Sequence, residues 1–261
     1  SQAGARLRPL PELSDAENLQ RLAQVEPIPR SACLGSARIA GSRLPEPRHL
    51  AYLPIGSDGN DLTRALAQDP LLGPFVAAPE NGLRLAGLAV RFGRLWVGLR
   101  APALGPFAVI LELEPRESRP CLLELMPIGL KGRPYRKHLV ELNGLGVQGL
   151  RWHDDSLLIL STPPACHAGE TADAAPGIYQ LREASALGDD SLTSASDPRL
   201  ALLQPLPSSP TGDQPRAIEL YAGLGQPGVM VAYGNPLPAR RVALGGGEKA
   251  LIMHWDGTSW T

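Results

Sequence analysis

Cys166 and His167 are adjacent in this chain, and a thiol beside an imidazole is the raw material of a nucleophile and its base. Such a pair works only when sulfur and ring face each other, which neighbours on one loop rarely achieve. Their surroundings, rich in Pro, Ala and Gly, read as a loop. Asp58, Asn60 and Asp61, in GSDGND, resemble the opening of a calcium loop. No Glu closes that loop, and Asp-Gly is a common turn signal. Asp154 and Asp155 fall between two apolar runs, where a hairpin turn accounts for them. The serines between 185 and 209 lack the G-x-S-x-G frame of a strained nucleophile elbow. Gly245–Gly247 precede a strand-like run, so they lack the helix N-terminus that a phosphate cradle uses. Cys33, Cys121 and Cys166 are odd in number and widely spaced, without CxxC or CxxCH. Reduced structural thiols fit them better than zinc, haem or a disulfide framework.

Two basic features remain. Arg100 follows an apolar run at a position where the later, similar segments carry Ser161 and Gly234. A guanidinium there could bind an anion; packing along a sheet edge is the competing account. Arg133–His138 is a short basic run containing Tyr135, read as a solvated strand end. The net charge is -1 and no basic stripe appears, which argues against nucleic-acid binding. The most apolar stretch, Leu83–Leu99, is interrupted by Arg84, Arg91 and Arg94. No apolar run reaches the roughly 18 residues of a membrane helix.

The elements that must position these residues are mostly strands. The 261 residues include 28 glycines and 27 prolines, about a fifth of the chain, which suits short strands joined by turns. Ser14 and Glu17 form a capping box ahead of a short apolar stripe, predicting a helix over Asp15–Val25. Strand-like runs follow at Cys33–Ala40 and His49–Ile55, then a second helix at Asp61–Ala67. From Asn81 the chain repeats. LAGLAVRFGRLWVGLRAP (Leu85–Pro102), VQGLRWHDDSLLILSTPP (Val147–Pro164) and PRAIELYAGLGQPGVMVAYGNP (Pro215–Pro236) share one plan. A small residue (Gly87, Gly149, Ala217) precedes an apolar strand, a turn, a second apolar strand and a closing Pro. Third strands are predicted at Phe107–Leu113, Gly177–Leu181 and Ala250–Trp255. Fourth strands are predicted at Cys121–Met126 or Arg136–Leu142, and at Leu200–Gln204. Units that cannot bury their faces alone must stack. The pattern therefore predicts an all-β, propeller-like fold of four-stranded blades, with two short helices in the N-terminal third. It treats residues 1–261 as one domain: helix, degenerate blade and second helix in 1–80, then three blades in 81–261. Leu88, Val90, Leu95, Val97, Leu150, Leu158, Leu160, Ile218, Val229 and Val231 are the expected core.

The stretch NGLRLAGLAVRFGRLWVGLRAP, followed by AVILELEP, YRKHLVELNGLGVQGLRW and LLILSTPP, resembles the bacterial family called domain of unknown function 3616. SDAENLQRLAQVEPIPR and LTRALAQDPLLGPF resemble it too, so the likeness covers nearly the whole chain. It implies a propeller-like fold and blades ahead of the point where this chain starts, and it supplies no residues of known role. Similar propellers often place Glu before the Gly-Leu-Ala of the inner strand, at the mouth of the central channel. Here those positions hold Ala86, Gln148 and Arg216. A carboxylate cage for calcium or for acid–base work is therefore missing from these units.

These readings favour a non-catalytic scaffold or binding module without a cofactor, with Arg100, Gln148 and Arg216 as channel-mouth candidates for a small anion. The alternative is a divergent propeller hydrolase of the phytase or esterase-like type acting at the channel. Three units are too few to close a ring, and the chain starts at Ser1 without Met. An upstream segment, another protein or a second copy is expected to complete it.

Overall fold

The computed structural model describes residues 51–57, 59–76, 78, 82–164, 174–206, 214–221, 228–234 and 250–254, the side chains of 221 and 250–254 excepted. The predicted helix at Asp15–Val25, the strand at Cys33–Ala40, Cys33, Asp58, the Cys166–His167 pair and Gly245–Gly247 lie outside the described residues. The chain divides into two compact units, residues 1–52 with 117–122, and residues 53–116 with 123–261. In the first, the Tyr52 amide donates to the Cys121 carbonyl at 3.1 Å, and the Cys121 side chain is buried. Of the predicted run His49–Ile55, the described part forms only an isolated bridge from Tyr52 to Leu122.

The described residues of the second unit are all-β apart from short helical turns. The longest helix among the described residues, α1 (Asp61–Ala67), has the bounds expected from the sequence. Asn60 accepts from the Thr63 amide and Thr63 Oγ1 accepts from the Asn60 amide, each at 2.9 Å. Asp61 pairs with Arg64 one turn on, while Leu62 and Leu66 face inward. GSDGND thus ends in a helix cap.

The first sheet contains β1 (Arg84–Arg91), β2 (Arg94–Ala101) and β3 (Phe107–Leu113). β4 (Pro115–Arg119) and β5 (Leu122–Leu125) pair as a separate two-stranded sheet. The predicted alternatives for the fourth strand are thereby resolved: β6 (Arg136–Glu141) joins β3, and a short β10 (Ser191–Thr193) adds to it in parallel. The second sheet runs β7 (Gly146–His153), β8 (Ser156–Thr162), β9 (Gly177–Arg182) and β11 (Leu200–Pro205), each antiparallel to the next. The third runs β12 (Gln214–Tyr221), β13 (Gly228–Gly234) and β14 (Ala250–His254). The expected strands from Leu85 onward are therefore in place. Asp154 adopts positive φ in the β7–β8 turn, as a hairpin residue should. The arrangement is a propeller-like all-β fold whose described sheets do not close on themselves.

The leading strands adjoin, β1 against β7 and β7 against β12. They interlock through small residues. A Cβ on Gly87 would lie 2.9 Å from Leu150 Cγ, and one on Gly149 would lie 2.8 Å from Ile218 Cγ2. Each glycine is a socket for the branched side chain of the following sheet, and any larger residue would force the sheets apart. Two apolar layers result. Ala89, Trp96, Ile110 and Val140 meet Leu150, Leu157, Ile159 and Leu181; Leu158, Leu160 and Ile178 meet Ile218, Val229, Val231 and Tyr233.

Seven of the ten expected core residues are buried, and Leu95 is half-buried. Leu88 and Val90 are not: they are 53% and 65% exposed. The strand is amphipathic, and its buried face carries Gly87 and Ala89. On the opposite face, α1, Leu72 and Tyr135 cover β2 and β3 and stop short of β1.

Candidate functional site

The three positions that precede the small residue of each leading strand, Ala86, Gln148 and Arg216, share one backbone feature. The pairing register slips between Leu85 and Gly87, between Val147 and Gly149, and between Pro215 and Ala217. Ala86, Gln148 and Arg216 are thus each the extra residue of a β-bulge, a device that re-aims a side chain. The Gln148 amide donates to the Arg216 carbonyl at 3.0 Å. Nearby, Arg151 donates to the Leu88 carbonyl at 3.2 Å and pairs with Glu219 at 2.8 Å, linking all three leading strands. The Arg216 side chain lies against Gly234 and is exposed. Arg100 stands apart on β2, half-buried, with its backbone pressed against Gly146. Gln148 and Arg216 are therefore brought together by a hydrogen bond, and the Arg100 backbone meets β7 two residues before Gln148.

Sequence reasoning missed a second constellation. Arg91, Arg94 and Arg136 line a pocket of about 190 Å³ with Phe92, Trp96, Trp152, Glu112 and Ser185. The Arg91 guanidinium lies 4.7 Å from the ring centres of both Phe92 and Trp152. Arg94 pairs with Glu112 at 2.6 Å and with Glu114 at 3.2 Å, and Arg136 stands 3.7 Å from Glu112. Beneath Trp96, the His138 ring stacks at 4.9 Å and is fully buried. Its Nε2 lies 3.3 Å from Glu112 Oε2 and its Nδ1 lies 2.8 Å from Ser191 Oγ. Burial alone would raise the Glu112 pKa; hydrogen bonds from His138 and Arg94, with the Arg94 charge, lower it instead.

A third cluster corrects the reading of Arg133–His138 as a solvated strand end. Tyr135, Lys137 and His138 are buried, because their partners come from distant loops. Asp69, whose side chain is fully buried, accepts from Lys137 Nζ and Tyr135 Oη, each at 2.7 Å, and from the Leu71 amide at 2.9 Å. Burial opposes its ionisation, yet these donors hold its pKa down to about 2. Arg133 meets Asp189 at 3.0 Å and Asp190 at 2.9 Å, and Asp189 also accepts from the Leu130 amide. A cleft of about 630 Å³ opens beside this cluster, lined in part by Gln68, Lys131 and Arg133. Every cluster member named here has a partner, so the cluster braces α1 and the Leu130–Gly132 turn onto β6. The spacing of partners gives no local signal: Asp69 and Lys137 are 68 residues apart.

Sheets of this kind, joined at their leading strands, define a propeller-like β-protein. The chain belongs to the family described as protein of unknown function (DUF3616), which it matches over residues 1–246. No curated protein and no solved structure matches it.

Proposed function

We propose that this chain is a non-catalytic scaffold of blade-like repeats that binds a small oxyanion between its first two sheets. The observation that carries the reading is the presence of three arginines, Arg91, Arg94 and Arg136, in the lining of one small pocket that Trp96 and Trp152 also line. Guanidinium forks match phosphate and carboxylate oxygens, and the pocket volume suits a compact anion. Arg91 also pairs with Asp155 at 3.2 Å, and that carboxylate is more than half exposed. An incoming anion would displace it at small cost. Against catalysis stands the state of the carboxylates. A general acid or base works best with a pKa near the operating pH. Asp69 and Glu112 are both shifted the other way, toward permanent charge.

Titration calorimetry with inorganic phosphate, backed by thermal shift, tests the reading. Phosphate at about 100 times its dissociation constant should stabilise the fold by about 2.7 kcal/mol. Arg91→Gln and Arg136→Gln should each weaken binding while leaving the fold intact. Absence of any heat or shift for phosphate and small carboxylates would end it. One arrangement favours the hydrolase alternative: Ser191, His138 and Glu112 form a chain of hydroxyl, imidazole and carboxylate. Turnover of a nitrophenyl ester or phosphate that disappears in Ser191→Ala would establish that second reading.

A further inference from the structure

The first two sheets open with hairpins that turn at matching places. Arg91 pairs with Arg94 across the β1–β2 turn, and His153 pairs with Ser156 across the β7–β8 turn. Phe92 is therefore the counterpart of Asp154, and both adopt left-handed backbone, with φ of 49° and 50°. Aspartate suits that conformation; a bulky aromatic residue does not. Burial does not compensate, since Phe92 is 82% exposed. The turn thus explains Asp154 and leaves Phe92 without a structural reason. Its ring lies against the Arg91 guanidinium and lines the pocket of about 190 Å³ together with Trp152. The Trp152 ring, partly exposed, stands at the same 4.7 Å from that guanidinium. The N–H donors of a guanidinium lie in its plane, so contact with rings leaves them to oxygen acceptors. One such acceptor is Asp155, 3.2 Å away.

We propose that the pocket selects an oxyanion carried on a single aromatic ring. The anionic head takes the place of Asp155 on Arg91, and the ring lies along Phe92 and Trp152. The inference rests on the oxyanion reading of this pocket and names the class of ligand. An exposed aromatic face beside a cation is the complement of an aromatic acid or an aryl phosphate, whose flat apolar body ends in a negative charge. The volume sets the size. Sites for drug-sized molecules span about 300–1,000 Å³, so a pocket of about 190 Å³ suits one ring with its anionic group.

Titration calorimetry with two pairs of probes tests this: phenyl phosphate against inorganic phosphate, and benzoate against cyclohexanecarboxylate. The aromatic member of each pair should bind about tenfold more tightly, the gain expected from stacking on an aromatic face. The tighter of phenyl phosphate and benzoate distinguishes a phosphate ester from a carboxylate as the preferred head. Phe92→Asn suits the turn and should bring both ratios close to one, whereas Phe92→Tyr should keep them. Circular dichroism checks that both variants fold. Equal affinities within both pairs overturn the proposal and leave the oxyanion reading standing; no binding of any probe overturns both. A preference for the ring that persists in Phe92→Asn overturns the proposal too. So does loss of every probe in folded Phe92→Asn, which would mean that Phe92 shapes the pocket without selecting the ring.

Discussion

Replacing Asp69 by Asn should destabilise the second unit more than any single surface change, and the size follows from its partners. The carboxylate is fully buried and receives Lys137, Tyr135 and the Leu71 and Leu72 amides. Its pKa drops from 3.8 in an exposed chain to about 2 in the fold. That difference corresponds to roughly 2–3 kcal/mol of stability at neutral pH. The folded-state value is the lower one. The contribution is therefore complete above the ordinary carboxylate range and fades as pH falls from about 4 toward 2. Asparagine removes the charge and turns an amide donor toward the Lys137 ammonium or the Tyr135 hydroxyl. Lys137, almost fully buried, would then have Asp190 at 3.8 Å as its carboxylate partner among the described residues. Breaking a buried pair from one side costs about 3–5 kcal/mol, so a loss of about 3 kcal/mol is expected near neutral pH. Urea denaturation followed by tryptophan fluorescence measures it. Lys137→Met in the Asp69→Asn background should recover part of the loss, giving a coupling of about 1–3 kcal/mol. A loss below about 0.5 kcal/mol, or a difference between the proteins that does not shrink in acid, would refute the argument.

Leu150→Ala should cost about 2–5 kcal/mol, while Leu88→Ala, at the equivalent place on β1, should cost under about 1 kcal/mol in dilute protein; equal losses in denaturation would mean that the sheets are not equivalent. Gly98→Ala should destabilise by about 1–3 kcal/mol, because its Cβ would fall 2.2 Å from Val147 Cγ1; a neutral result by thermal denaturation would show that this contact is loose.

The strands and the α1 helix were legible because their causes are local. Asn60 caps three residues ahead, Asp154 turns its own hairpin, and Pro and Gly mark where each run stops. Leu88 and Val90 were legible as apolar positions of β1, and with Leu85 they share a face. Which face meets another sheet was not, because that depends on a neighbour and alternation is blind to neighbours. The three equivalent small residues held the missing information. A glycine before the branched residue is the socket for the next sheet, so Gly87 and Gly149 mark the side of each strand that the succeeding sheet covers. The polar clusters were illegible for a different reason. Tyr135 and Lys137 look like a basic strand end until Asp69 arrives from more than sixty residues away. His138 gains Glu112 and Ser191 only when β3 and β10 flank β6. Such groups are tolerated in a buried sheet only when every charge finds its partner. An isolated basic run between two predicted strands is therefore better treated as a question about distant carboxylates than as a solvated edge.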